Sequence, residues 1–224
     1  MGKRGVVIVA GGSGRRMQSA LPKQFMLLDG MPVVARTINT FAEALPGAEI
    51  VVVLPEEHIS MWKNLAARFD VAVHKCVAGG IERFFSVKAG IDALSHDVTS
   101  IMVHDGVRAL VSKRLIIRSA LAIEDNDATI PVVEVVDSYR RARGEDSEIL
   151  PRHELRIVQT PQCFKAEVLR RAYEQEYDAT FTDDASVVER MGTKITLIEG
   201  ERSNLKLTTP EDMAWAEWWL QSNR

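Results

Sequence analysis

Residues Ala10 to Phe25, AGGSGRRMQSALPKQF, follow an apolar run with Gly11, Gly12 and Gly14, then Arg15, Arg16 and Lys23. Glycine leaves backbone amides uncovered for close approach to a ligand, and Arg and Lys bring positive charge, so the combination suits an anion. The stretch lacks Gly-Lys-Ser/Thr, which excludes a Walker A loop, and Met17 stands where a dinucleotide fingerprint requires Gly or Ala. From the glycines alone, a βα turn with solvated arginines and a phosphate loop are both admissible. Arg15, Arg16 and Lys23 shift the reading toward a triphosphate, because the rest of the chain is acidic and this positive charge is local.

Three further stretches carry candidate chemistry. VAGGIERFFSV places Gly79 and Gly80 before a helix opened by Glu82 and Arg83. It is either a plain turn or a glycine edge whose amides and carbonyls match a planar base. IMVHDGVRAL ends an apolar run in His104, Asp105, Gly106 and Arg108, at what would be the carboxyl edge of a strand, where open α/β sheets bind ligands. His104 reads as a satisfied structural histidine. Asp105 could hold a metal or sugar hydroxyls, and a turn or N-cap role is equally open. In EGERSNLKLTTPEDM, helix capping accounts for Thr209-Pro210-Glu211-Asp212 and leaves Lys206 unexplained.

The elements that must position these residues read as an α/β alternation. Val6–Ala10, Ile50–Leu54, Val71–Val77, Ile101–Val103 and Ala128–Val133 are β-branched, nearly continuous apolar runs, as expected of strands covered on both faces. Amphipathic segments such as PVVARTINTFAEAL, EEHISMWKNLAARF and IERFFSVKAGIDAL lie between them and predict a Rossmann-like, mostly parallel sheet. From about 135 to 156 the alternation fails, and two β-like stretches around RARGEDSE predict a hairpin arm standing away from the sheet. Thr182 is a candidate N-cap for a helix stopped by Gly192, KITLIEG reads as a strand, and TPEDMAWAEWWLQ reads as a last helix.

With 224 residues and 46% hydrophobic content, the chain can bury one large core, and a single domain over 1–224 is the expectation. A net charge of -3 argues against bulk nucleic-acid binding. Cys76 and Cys163 lack metal-ligand or CxxC spacing and read as reduced thiols. The apolar run in MGKRGVVIVAGG is too short for a signal peptide or membrane span, and Val6 breaks the myristoylation pattern. The expectation is a soluble cytoplasmic protein with no membrane partner.

Taken together, AGGSGRRMQSALPKQF, GGIERFFSV, VHDGVRAL, VVDSYRR, QTPQCF, TDDASVVE and EGERSNLKLTTPEDM, in this order, resemble the 2-C-methyl-D-erythritol 4-phosphate cytidylyltransferase family over the full length. The resemblance implies a nucleotidyltransferase/glycosyltransferase-A-like fold and transfer of CMP from CTP to the polyol phosphate, with Mg²⁺. It implies that Ala10, Gly11, Gly12, Gly14 and Arg15 wrap the CTP phosphates while Arg16 and Lys23 stabilise the transition state. Gly79, Gly80, Arg83 and Ser86 would line the cytidine pocket, with Asp105 and Gly106 near the sugar and Asp105 near the metal. Asp105, Arg108, Ser138, Arg152, Thr160 and Lys206 would serve the second substrate. The family resemblance also implies a homodimer with interlocking arms, so that Ser138 and Arg152 serve the neighbour's site. Ile81 stands where the family often has an acidic residue, so base recognition there falls to the backbone. The rival readings are a ribitol 5-phosphate cytidylyltransferase and a non-catalytic CTP-binding module.

Overall fold

The computed structural model describes residues 2–12 and 21–223. The first half of the chain contains β1 (Lys3–Val9), β2 (Leu27–Leu28), β3 (Met31–Pro32), α1 (Val33–Ala44), β4 (Glu49–Leu54), α2 (Glu56–Ala66), β5 (Lys75–Ala78), α3 (Arg83–Ala93) and β6 (Val98–Asp105). It continues through α4 (Lys113–Ala122), β7 (Ala128–Glu134), β8 (Tyr139–Arg143), β9 (Asp146–Leu150), β10 (Arg156–Val158) and β11 (Gln162–Lys165). α5 (Ala166–Ala172), α6 (Asp184–Glu189), β12 (Thr196–Glu199) and α7 (Pro210–Ser222) complete it.

The central sheet has eight strands in the order β10-β7-β11-β6-β1-β4-β5, with β12 also paired to β7. β1 pairs in parallel with both β4 and β6, and β4 with β5, while β10 and β11 run antiparallel to their neighbours. The sheet is therefore mostly parallel. Alternation along the strands divides the core. Val6, Ile8, Val52 and Met102 face α1, α2 and α4, whereas Val7, Val51, Val53, Ile101 and Val103 face α3, α5 and α6. Successive strand side chains point to opposite faces, so a strand buried on both sides must be apolar at every position. A third cluster docks α7, through Met213 and Ala216, over Leu28, Val107, Leu110 and Leu207.

Two local expectations are corrected. The run Val71–Val77 is a strand only from Lys75, and Val73 is exposed. Asn39 on α1 captures the preceding backbone instead: its Nδ2 donates to the Asp70 carbonyl at 2.8 Å and its Oδ1 accepts from the Ala72 amide at 2.9 Å. The N-cap of α6 is Asp183, not Thr182, because Asp183 accepts from the Ser186 amide while the Ser186 hydroxyl accepts from Asp183, closing a capping box. Thr209 does cap α7, with Pro210 in its first turn. Gly192 follows α6 at φ 83°, the left-handed stop expected of it.

The hairpin forms as β8 and β9, which pair with each other and with no other described strand. Arg143 faces Asp146 across a two-residue turn whose first position, Gly144, has φ 62°, a conformation that favours glycine. No helix among the described residues is long and apolar enough to cross a membrane.

Candidate active site

The order β5-β4-β1-β6 places strands from both directions of winding beside β1, and the switch between β1 and β6 opens a crevice at their carboxyl ends. Backbone bonds join the segments leaving those strands. The Ala10 amide donates to Val53, Gly79 to Leu54 and Gly106 to Val9, at 2.9, 2.8 and 2.8 Å. A cavity of about 230 Å³ lies there, lined by Ala10, Gly11, Gly12 and Lys23 from one side, Gly80 to Arg83 and Ser86 from another, and Asp105 and Lys206 from a third. Residues as far apart in the chain as Ala10 and Lys206 thus meet because parallel strands deliver their carboxyl ends to one edge.

Asp105 is the electrostatic centre of this cavity. Its carboxylate is 3.0 Å from Lys206 Nζ, 3.4 Å from Arg108 Nε and 3.9 Å from Arg83 Nε. Burial alone would raise its pKa, but the charges of Arg83, Lys206 and Arg108 outweigh that effect and hold the carboxyl well below the usual range. Beneath it, Thr160 Oγ1 accepts from the Asp105 amide at 3.1 Å and lies 2.9 Å from His104 Nδ1. Burial pushes the His104 pKa down to about 3, so the imidazole is neutral and structural, as its sequence position suggested.

The segment after β12 closes the cavity. The buried Asn204 donates from Nδ2 to the Thr160 carbonyl at 2.8 Å, and its own carbonyl accepts from Arg108 Nη1 at 2.8 Å. Leu207 donates its amide to Val107 and accepts at its carbonyl from Lys23 Nζ at 3.1 Å. Lys206 is thereby held between two anchored neighbours, with its ammonium facing Asp105. On the opposite wall, the Ser86 hydroxyl accepts from the Gly80 amide at 3.2 Å and fixes the glycine turn at the start of α3. Ile81, almost fully exposed, stands at the rim.

The structure therefore brings together Ala10, Gly11, Gly12, Lys23, Gly80, Arg83, Ser86, Asp105 and Lys206. Gly79, Gly106, Arg108 and Thr160 support this cavity from behind its lining. Gly14, Arg15 and Arg16 lie outside the described residues. Ser138 is exposed next to the arm, and Arg152 lines a different cavity with Glu134, Val135, Val136, His153 and Arg156. Arg152 Nη1 donates to the Val136 carbonyl at 2.6 Å. Sequence reasoning did not assign Asp184, whose buried carboxylate takes both Nη atoms of Arg83, at 2.8 and 2.6 Å. The motif TDDASVVE was visible, but adjacent aspartates at a helix start leave open which one caps and which one pairs.

A cationic, glycine-walled cavity at the carboxyl edge of a mostly parallel sheet defines an α/β protein built to bind a phosphorylated ligand. The family model described as 2-C-methyl-D-erythritol 4-phosphate cytidylyltransferase matches residues 5–222. A protein of that name from Bacteroides fragilis is 45% identical over 94% of this chain and 96% of its own length. One from Bacteroides thetaiotaomicron is 46% identical over the same shares. Among solved structures, 4-diphosphocytidyl-2C-methyl-D-erythritol synthase from Anaerococcus prevotii superposes with a TM-score of 0.84 at 27% identity, covering 98% of this chain and 96% of that one. The Thermus thermophilus 2-C-methyl-D-erythritol 4-phosphate cytidylyltransferase gives 0.79 at 29% identity, covering 99% and 100%. The chain belongs to the 2-C-methyl-D-erythritol 4-phosphate cytidylyltransferase family.

Proposed function

We propose that this protein transfers CMP from CTP to 2-C-methyl-D-erythritol 4-phosphate, forming 4-diphosphocytidyl-2-C-methyl-D-erythritol and pyrophosphate. The observation that carries the reading is the single cavity uniting the glycine turn after β1, Lys23, the glycine turn before α3, Asp105 and Lys206, in a chain matched to its family from residue 5 to 222. A phosphate oxygen of the polyol phosphate attacks the α-phosphorus, a P–O bond forms there, and the bond to the pyrophosphate leaving group breaks. The attacking oxygen is already anionic, so no general base is required. Charge neutralisation and in-line positioning remain for the protein to supply.

The exposed amides of Gly11 and Gly12 and the Lys23 ammonium suit the triphosphate. The turn at Gly80 suits the base, and Asp105 suits the ribose hydroxyls. Lys206, with the Arg108 guanidinium behind Asp105, gives the second phosphate a cationic wall. Mg²⁺ fits as an ion carried by the phosphates: among the described residues no cluster of three His, Cys, Asp or Glu side chains could hold a metal, and Asp105 is one carboxylate beside the phosphate-binding turn. When bound, it would neutralise phosphate charge during transfer. We place the reaction in the cytoplasm, where the free thiols of Cys76 and Cys163 stay reduced. We assign a homodimer in which the arm, with Val136, Tyr139 and Ile149 exposed, reaches the partner and carries Ser138 and Arg152 to its site.

Pyrophosphate release, measured for several nucleoside triphosphates crossed with methylerythritol phosphate and ribitol 5-phosphate, tests the reading. CTP with methylerythritol phosphate should be the preferred pair. Preference for ribitol 5-phosphate would reassign the substrate, and CTP binding without release in any combination would make the chain a binding module.

A further inference from the structure

Asp184 is fully buried and is the first residue of α6, yet its carboxylate serves α3, a different element. It accepts from Arg83 Nη1 and Nη2 and from the Tyr173 hydroxyl, the last at 2.6 Å. Its position is fixed independently of Arg83. Gln162 on β11 donates to Asp183 Oδ2 at 2.8 Å and accepts from the Ala185 amide at 2.9 Å, clamping the residues on either side. Tyr173 is equally constrained, since its ring stacks on Phe84 with centroids 4.7 Å apart, and Phe84 is the neighbour of Arg83.

A buried ion pair is weak evidence for stability, because apolar residues of similar size would serve the core as well. Its value here is directional. With Nη1 and Nη2 both turned to Asp184, the atom nearest Asp105 is Nε, at 3.9 Å, on the cavity wall shared with Gly80 and Ser86. A guanidinium released from Asp184 would be free to swing onto Asp105 and cross the space a nucleoside needs.

We propose that Asp184 and Tyr173 are positioning residues that act through Arg83 to hold open the nucleoside end of the cavity. The inference rests on the CTP reading of that cavity. Its test uses Tyr173→Phe, which keeps the ring stack on Phe84 and removes only the hydroxyl, together with Asp184→Asn. Steady-state pyrophosphate release from CTP and methylerythritol phosphate should show the KM for CTP raised about threefold by Tyr173→Phe, the net scale of one hydrogen bond acting through Arg83. Asp184→Asn should raise it roughly tenfold, the scale of a lost charge-assisted contact. Turnover at saturating CTP should change less than the KM in both.

Inhibition by pyrophosphate, a probe of the glycine turn and Lys23 alone, should be unaltered. In an Arg83→Lys background, which cannot make the bidentate contact, Tyr173→Phe should add nothing further. Should Asp184→Asn fail to fold, Tyr173→Phe alone and in that background still decides the matter. An unchanged KM, a parallel weakening of pyrophosphate inhibition, or an effect of Tyr173→Phe that persists in full beside Arg83→Lys would each overturn the positioning role. Failure of the CTP reading would show in the wild-type protein, which would then release no pyrophosphate from CTP, and would remove the inference with it.

Discussion

Among the described residues, the cations of the cavity are held by different contacts. Lys206 is paired with Asp105, Arg83 with Asp184, and Lys23 Nζ donates to the Leu207 carbonyl, a neutral acceptor. Lys23 lines the cavity beside Gly11 and Gly12, a place that suits stabilisation of charge developing on a transferring phosphoryl group. Lys23→Ala should therefore lower kcat by about a hundredfold, the cost of one preorganised electrostatic contact, with a much smaller change in CTP affinity. Stopped-flow or coupled pyrophosphate assays beside calorimetric CTP titration give the comparison, with far-UV circular dichroism showing a native fold. Equal losses in turnover and affinity would make Lys23 a binding residue. Arg16, which the family resemblance pairs with it, lies outside the described residues.

The elements divide their labour between the two edges of the sheet. The carboxyl edge carries the cavity, while the amino edge carries an ion-pair network in which Glu49, at the start of β4, contacts Lys75 on β5, Lys3 on β1 and Ser95 before β6. Burial would raise the Glu49 pKa, but hydrogen bonds from Lys75 and Ser95 prevail and lower it from 4.5 to about 2. The folded state thus binds this proton less tightly than the unfolded chain. Its stabilisation is complete above pH 4.5 and is lost as pH falls toward about 2. Denaturant titrations from neutral to acid pH should show Glu49→Gln less stable than the parent at pH 7, with the two stabilities converging on acidification. A constant difference across that range would show that Glu49 acts through packing alone. Activity per folded molecule should be unaltered, since the network lies at the opposite edge from the cavity.

At the scale of the molecule, the arm is the element that the described fold leaves without a surface to pack on. An isolated two-stranded hairpin is marginally stable, and Arg152 at its base lines a cavity separate from that of Lys23 and Asp105. In the proposed homodimer, action on the neighbouring subunit reconciles both facts. Homodimers of Arg152→Ala and of Lys23→Ala should each be nearly inactive. After subunit exchange, confirmed with differently tagged chains, the mixture should regain activity, because one heterodimeric site combines an intact Lys23 with an intact Arg152. Activity no greater than the sum of the two homodimers would place Arg152 in its own chain's site.

Strand and helix positions were legible in the sequence wherever burial on both faces enforced an unbroken apolar run, as in β1 and β4, or where capping chemistry marked a helix start, as at Thr209. The glycines with Arg15, Arg16 and Lys23 set the expectation of an anion by their chemistry, while the glycines alone also admitted a plain βα turn. Tertiary contacts decided the rest. Asn39 took the backbone of residues 70 to 72 out of the β5 ladder, a competition between a side chain and a strand separated by a helix. Lys206 reaches Asp105 from the segment before α7 and Asp184 reaches Arg83 from α6, so no local pattern could reveal those two pairs. Periodicity and capping report forces acting within one turn or one strand, whereas the charge balance of a buried carboxylate depends on every element that reaches it.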